Sequence, residues 1–230
     1  MDDRYGISTF DLALLGASSG ISCQFILFMK KQNSTRQHFV VWNEMMCAYL
    51  ANRLGIGVPD WFIGFDNGIP TFYSRYVRGK VTTAADLVNF GADYIRKMAL
   101  FNLFVLNEDI GPEGHFKHCG STIYQFDFGA AFLGHATEQW EAHLEQWRNN
   151  CPKMERHAVC AHVTDLERFC QLARDMISKM PDHVIRYMIE EAMRMGLPRA
   201  IAEKLCDYII QRRTTFEDYV KKCAIQFPGL

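Results

Sequence analysis

The feature that most constrains this chain is a pair of acids, each placed where an apolar segment ends. Leu106-Asn107-Glu108-Asp109 closes one segment, and Phe126-Asp127-Phe128-Gly129 closes another. The interval between Asp109 and Asp127 holds a short loop, one or two strands and a turn, and nothing larger. Phosphoryl transfer needs two carboxylates placed in this way. One orients a nucleophilic hydroxyl, and the other holds the magnesium that bridges the nucleotide phosphates. Asp-Phe-Gly also makes an ordinary turn after a strand, so the reading depends on what the rest of the chain supplies.

Composition leaves room for such a site. With 230 residues, 49% of them hydrophobic and 22% charged, the chain can bury one sizeable core or two lobes sharing a cleft. The formal net charge of -1 gives no general attraction to nucleic acid or to an anionic membrane, and neither is expected as a partner. Met1-Asp2-Asp3-Arg4 is acidic and leads into no long apolar core, and the apolar run at residues 25–29 is too short to span a bilayer. A cytoplasmic protein is therefore expected. Its eight cysteines form no CxxC pair and fit that compartment as reduced, mostly buried thiols. Cys151, His157, Cys160 and His162 cluster, and thiolate with imidazole could bind zinc. Their irregular spacing favours scattered loop residues over a zinc site.

Along the chain, the first third reads as strands. Residues 9–15 and 21–29 are rich in β-branched, aromatic and aliphatic side chains, and between them lies Gly16-Ala17-Ser18-Ser19-Gly20. A turn of such small residues lets backbone N–H groups approach an anion closely. Lys30 and Lys31 end the second strand. Residues 38–54 carry apolar side chains at helical spacing, with Glu44 beside that stripe and Gly55 and Pro59 ending it. A second hairpin follows, with Asp66-Asn67-Gly68 as its turn between residues 61–64 and 71–77. Helices are then expected at 84–90, 93–106, 137–149, 165–180, 182–195 and 198–223. The fold class is α+β. Arg212 and Arg213, in the last helix, are placed either to reach a phosphate or to cap a helix C-terminus. His115 and His118 lie beside Cys119 on a glycine-rich stretch, where a thiol nucleophile with a base competes with a plain solvated loop.

The order of these parts is more specific than any one of them. A small-residue turn, a strand ending in lysine, a helix with glutamate, a hairpin, a helix, an acid and Asp-Phe-Gly together resemble the HipA-like kinases, a toxin–antitoxin-related family. The chain looks most like the short single-domain relatives that lack the extra N-terminal subdomain of the longer toxins. The resemblance rests on residues 16–20, on Lys30 or Lys31, on Asn43-Glu44 with residues 50–59, on residues 106–109 and 126–132, and on Ile210-Gln211-Arg212-Arg213.

That resemblance implies a bilobal protein-kinase-like fold with ATP and magnesium between the lobes. Residues 1–79 would form the small strand-rich lobe and 80–230 the helical one. Gly16, Ser18, Ser19 and Gly20 would cover the phosphates, and Lys30, or alternatively Lys31, would contact them while paired with Glu44. Tyr76, Val77 and Arg78 would form the hinge beside the adenine. Asp127 would bind the metal, and Asp109 would be the catalytic base. The implied activity is transfer of phosphate to serine or threonine of a protein, and the alternative is a pseudokinase-like module that binds nucleotide and a protein partner. The family's loop reads like Asn-x-Asp-Arg-His-x-x-Asn, with the last asparagine as a second metal ligand, whereas position 114 here is glycine. A shifted register makes Glu113 the acid and His118 the substitute for that asparagine. In either register one metal ligand is altered.

Overall fold

The computed structural model describes residues 6–13, 22–32, 38–107, 115–134, 139–152 and 159–230. The first sheet is antiparallel with strand order β1-β2-β4-β3, from β1 (Gly6–Ala13), β2 (Ser22–Lys31), β3 (Trp61–Asp66) and β4 (Ile69–Arg75). The β3-β4 turn is made by Asn67 and Gly68, both at positive φ (52° and 78°), as an Asn-Gly two-residue hairpin requires. A second, smaller sheet runs β5 (Lys80–Val81), β6 (Phe116–Cys119) and β7 (Thr122–Gln125) in that order. β5 was not anticipated. Two residues are too few to carry an alternation signal.

Between β2 and β3 lies α1 (Val40–Leu54). It is buried over most of its circumference because β2, β3 and β4 cover one side and α6 (Asp182–Arg194) packs against another. Gly55 ends it in the left-handed conformation, φ 69°. Gly57 then passes so close to β7 that a Cβ there would stand 2.1 Å from the Ile123 carbonyl oxygen. Its carbonyl accepts from Gln125 N at 2.8 Å and its N–H donates to Tyr94 Oη at 3.0 Å. This glycine fastens the segment after α1 onto the second sheet.

After the short α2 (Ala84–Leu87) comes α3 (Ala92–Val105), with Ile95 and every residue from Met98 to Val105 buried. It is the central helix, and α5 (Leu166–Ala173) and α8 (Phe216–Cys223) pack on it. A π-helical turn, Arg174–Ser178, extends α5. The expected single helix over 198–223 is two, α7 (Arg199–Thr214) and α8. Thr214 and Thr215 turn their hydroxyls back onto the carbonyls of Ile210 and Gln211 at 2.9 and 3.3 Å, and such back-bonding bends a helix. The remaining helix, α4, spans Trp140–Asn149. Among the described residues no helix is long and apolar enough to cross a membrane.

The cysteines depart from the expectation of reduced thiols. Cys151 and Cys223 form a disulfide with Cα atoms 5.4 Å apart, joining the end of α4 to the end of α8. They are 72 residues apart in sequence, so no local pattern could announce the pair. Cys47, Cys160, Cys170 and Cys206 are free and buried. Burial raises the Cys160 thiol to about 12. With Cys151 in a disulfide and Cys160 held as thiol, the two cysteines of the suspected zinc cluster are poor ligands. His157 lies outside the described residues.

Candidate nucleotide site

The period of β2 decides which lysine faces inward. Phe28 pairs with Ser74 and Lys30 with Phe72 across the β2-β4 register, and all four line one cavity of about 380 Å³. Lys31, one residue on, leans the other way and forms an ion pair with Asp66. Inside the cavity Lys30 Nζ lies 2.5 Å from Glu44 Oε1 and 2.7 Å from Asp127 Oδ1. Apolar walls from Phe28, Ala48, Val58, Phe72 and Val77 close the rest.

Electrostatics follow from this geometry. Burial alone would lower the Lys30 pKa, but the charges of Glu44 and Asp127 outweigh it and raise it above the ordinary lysine value. Burial also raises the Glu44 carboxyl, against the pull of Lys30. These two directions conflict over whether the pair is ionised. The short contact and the Phe128 N–H, which donates to the same Glu44 oxygen at 2.8 Å, favour the charged pair.

The Asp127 loop is held from two sides. From α1, Asn43 Nδ2 donates to Gly129 O at 2.8 Å and to Gly134 O at 3.1 Å, and its Oδ1 accepts from Leu133 N at 3.3 Å. From α3, Asn102 Nδ2 donates to Met98 O and Asn102 exchanges hydrogen bonds with Gln125. Asn107 Nδ2 lies 3.3 Å from Asn102 Oδ1 and 3.5 Å from Asp127 O. Phe128 packs edge-on against Phe101, centroids 5.7 Å apart. So held, Asp127 keeps φ at 71°, a conformation that a non-glycine residue adopts only where its surroundings impose it.

Other candidate residues fall in several places. Of the hinge residues, Val77 lines the cavity, while the Tyr76 ring packs on Phe28 and under Lys117 Nζ. Arg78 lies in a neighbouring open recess with Lys80 and Cys119. His118, the substitute metal ligand of the shifted register, lines that recess too, with Nδ1 3.1 Å from Thr82 Oγ1. Alternation along β6 puts His118 on the face opposite Lys117 and turns His115 and Lys117 into the cavity. His115 Nδ1 is 3.9 Å from Asp127 Oδ2. Asp109, Glu113, Gly16, Ser18, Ser19 and Gly20 lie outside the described residues. Asn43, Asn102 and Gln125 were not picked out for a role in the site. Their signal was an uncharged amide inside an otherwise apolar run, which marks a buried hydrogen-bonding duty.

Arg212 works at a distance from the cavity. Its guanidinium is buried and donates to Leu103 O at 2.6 Å, Phe104 O at 3.1 Å and Trp147 O at 3.1 Å, while lying 3.9 Å over the Tyr219 ring. It caps the C-terminal ends of α3 and α4 rather than its own helix. Arg213 likewise donates to Met180 O.

No protein-family model matches the chain, and no curated protein matches it in sequence. In three dimensions it is similar to the Helicobacter pylori proinflammatory kinase CtkA, over 88% of this chain and 91% of that one, with TM-score 0.58 and 11% identity. It is also similar to HipA from the Shewanella oneidensis MR-1 toxin–antitoxin complex of HipA, HipB and operator DNA. That match covers 95% of this chain and 66% of the other, with TM-score 0.46 and 13% identity. The likeness to the kinase CtkA is one of fold.

Proposed function

We propose that this chain is an ATP-dependent phosphotransferase of the HipA-like kind that phosphorylates serine or threonine on a protein. The observation that carries the reading is the Lys30-Glu44-Asp127 constellation at one end of an apolar-walled cavity. The cavity volume of about 380 Å³ suits a nucleotide-sized ligand. Residues 1–79 act as the small lobe and 80–230 as the large one, with the cavity between them.

The division of labour follows from the contacts. Val58, Ala48, Phe72 and Val77 take the adenine by apolar contact, and Lys30, kept cationic by two carboxylates, meets the phosphates. Glu44 aims Lys30 and, through Phe128 N, ties it to the Asp127 loop. The residues present fit a divalent cation, because Asp127 Oδ2 and the His115 Nδ1, which is buried and has no hydrogen-bond partner, converge inside the cavity. Asp127 would hold the magnesium, which would supply positive charge against the phosphates. By the family resemblance, Gly16 to Gly20 would cover the phosphates, and Asp109 would orient the acceptor hydroxyl and take its proton.

Incubation with γ-labelled ATP and magnesium, alone and with a cell extract, tests the assignment. Label on serine or threonine, lost in Lys30→Ala, is the expected result; no label on any protein contradicts it. The second reading, a nucleotide-binding module with a protein partner and no turnover, is favoured by one observation, the glycine at position 114 where the family pattern has a metal-binding asparagine. It predicts stabilisation of about 2.7 kcal/mol by nucleotide at a hundredfold excess over Kd, with no label transferred.

A further inference from the structure

Asp127 divides its two oxygens between different neighbours. Oδ1 accepts from Lys30 Nζ at 2.7 Å, and Oδ2 faces His115 Nδ1 at 3.9 Å. That separation is too long for a hydrogen bond. The imidazole nitrogen is buried and has no hydrogen-bond partner, although its ring is one-fifth exposed to the cavity. Buried polar atoms are normally satisfied, and an orphan beside a carboxylate calls for an explanation. His115 immediately precedes β6, and its carbonyl accepts from Phe126 N at 3.2 Å, so one hydrogen bond ties the backbone of the histidine to the residue before Asp127.

Two polar atoms that converge without a hydrogen bond between them are placed to share a cation. Donors about 2.1 Å from one cation stand between roughly 3.0 Å (adjacent) and 4.2 Å (opposite) apart, and 3.9 Å lies inside that range. We infer that His115 Nδ1 and Asp127 Oδ2 share one divalent cation, and that the imidazole makes this site prefer Mn2+ to Mg2+. Among the described residues no group of three or more acidic, histidine or cysteine side chains is placed to hold a metal, so the remaining ligands are phosphate oxygens of the nucleotide and water. Magnesium takes oxygen ligands and tolerates nitrogen poorly, whereas imidazole suits the first-row transition ions. Manganese is the member of that series that also accepts carboxylate and phosphate oxygen readily.

This inference rests on the phosphotransfer reading for the presence of nucleotide, and the test separates the two. Mn2+ is bound to the protein together with a non-hydrolysable ATP analogue, and pulsed electron paramagnetic resonance is recorded on protein of natural abundance and on protein labelled with 15N only in histidine. The expected result is a nitrogen coupling that changes from 14N to 15N on labelling and is absent in His115→Asn. Calorimetry in the same mixture should show Mn2+ at least about tenfold tighter than Mg2+ in the wild type. The asparagine variant, offering an amide oxygen, should lose most of that preference. Bound Mn2+ with no histidine coupling in the labelled wild type overturns the inference and leaves the phosphotransfer reading standing, and this arm needs no variant to fold. Failure of the wild type to bind the analogue with either cation overturns both.

Discussion

Lys30 lies against two carboxylates, with its side chain and that of Glu44 largely buried, and the energetics of the site follow from that position. Replacing it with alanine leaves Glu44, which is buried, without its cation. Breaking a buried pair in this way costs about 3 kcal/mol, to be read from urea denaturation of Lys30→Ala against wild type. The cost should depend on pH. Burial already raises the Glu44 pKa, and removing Lys30 removes the charge that opposes the rise. A raised folded pKa favours the protonated folded state, so the variant keeps most of its stability below the ordinary glutamate value of 4.5. It then loses stability as pH climbs from there through the raised pKa. Equal losses at pH 5 and pH 8 would count against this account. The choice between Lys30 and Lys31 was not legible in the sequence, because neighbours in a strand face opposite sides and only the pairing with β4 fixes which side is the cavity. The side to which His115 turns was hidden for the same reason.

Among the elements, helix positions could be read from periodicity, the end of α1 from Gly55, and the β3-β4 hairpin from its Asn67-Gly68 turn. The break between α7 and α8 could not, since Phe216 and Val220 continue the buried stripe of Arg212 at helical spacing across Thr215. Arg212, within α7, reaches with its guanidinium the last carbonyls of α3, from which the chain runs into Leu106 and Asn107. Arg212→Ala leaves three buried carbonyls without their donor and should cost roughly 3 kcal/mol in chemical denaturation. Arg212→Lys should recover only part, because an ammonium cannot span the same fork. The junction of α8 with the π-helical turn gives a milder case. Hydrogen bonds from Arg174, then Lys221, hold the Glu217 carboxyl down at about 2. A depressed folded pKa stabilises above the unfolded value of 4.5 and is lost as pH falls through about 2. Glu217→Gln should therefore be less stable than wild type at pH 7, by under roughly 1 kcal/mol for so exposed a group. Thermal melts of the two proteins should converge as the pH falls toward 2.

At the scale of the whole molecule, the α+β character could be read from the sequence because the strands and helices have local signatures. The contacts joining distant segments could not: the Cys151–Cys223 disulfide, the amide cluster of Asn102, Asn107 and Gln125, and the close approach of Gly57 to β7 are all set by tertiary packing. The disulfide closes a loop of 72 residues, for which loop-closure entropy gives about 4 kcal/mol. Reduction, or Cys223→Ala, should lower the denaturation midpoint accordingly, and an unchanged midpoint under reductant would mean that the pair adds nothing to stability. The central claim is that the cavity around Lys30, Glu44 and Asp127 receives a nucleotide through its phosphates. Calorimetric titration with a non-hydrolysable ATP analogue, with and without divalent cation, tests it most directly. The account predicts saturable one-to-one binding that the cation tightens, with the tightening lost in Asp127→Asn. The absence of binding to folded wild-type protein under both conditions would contradict it.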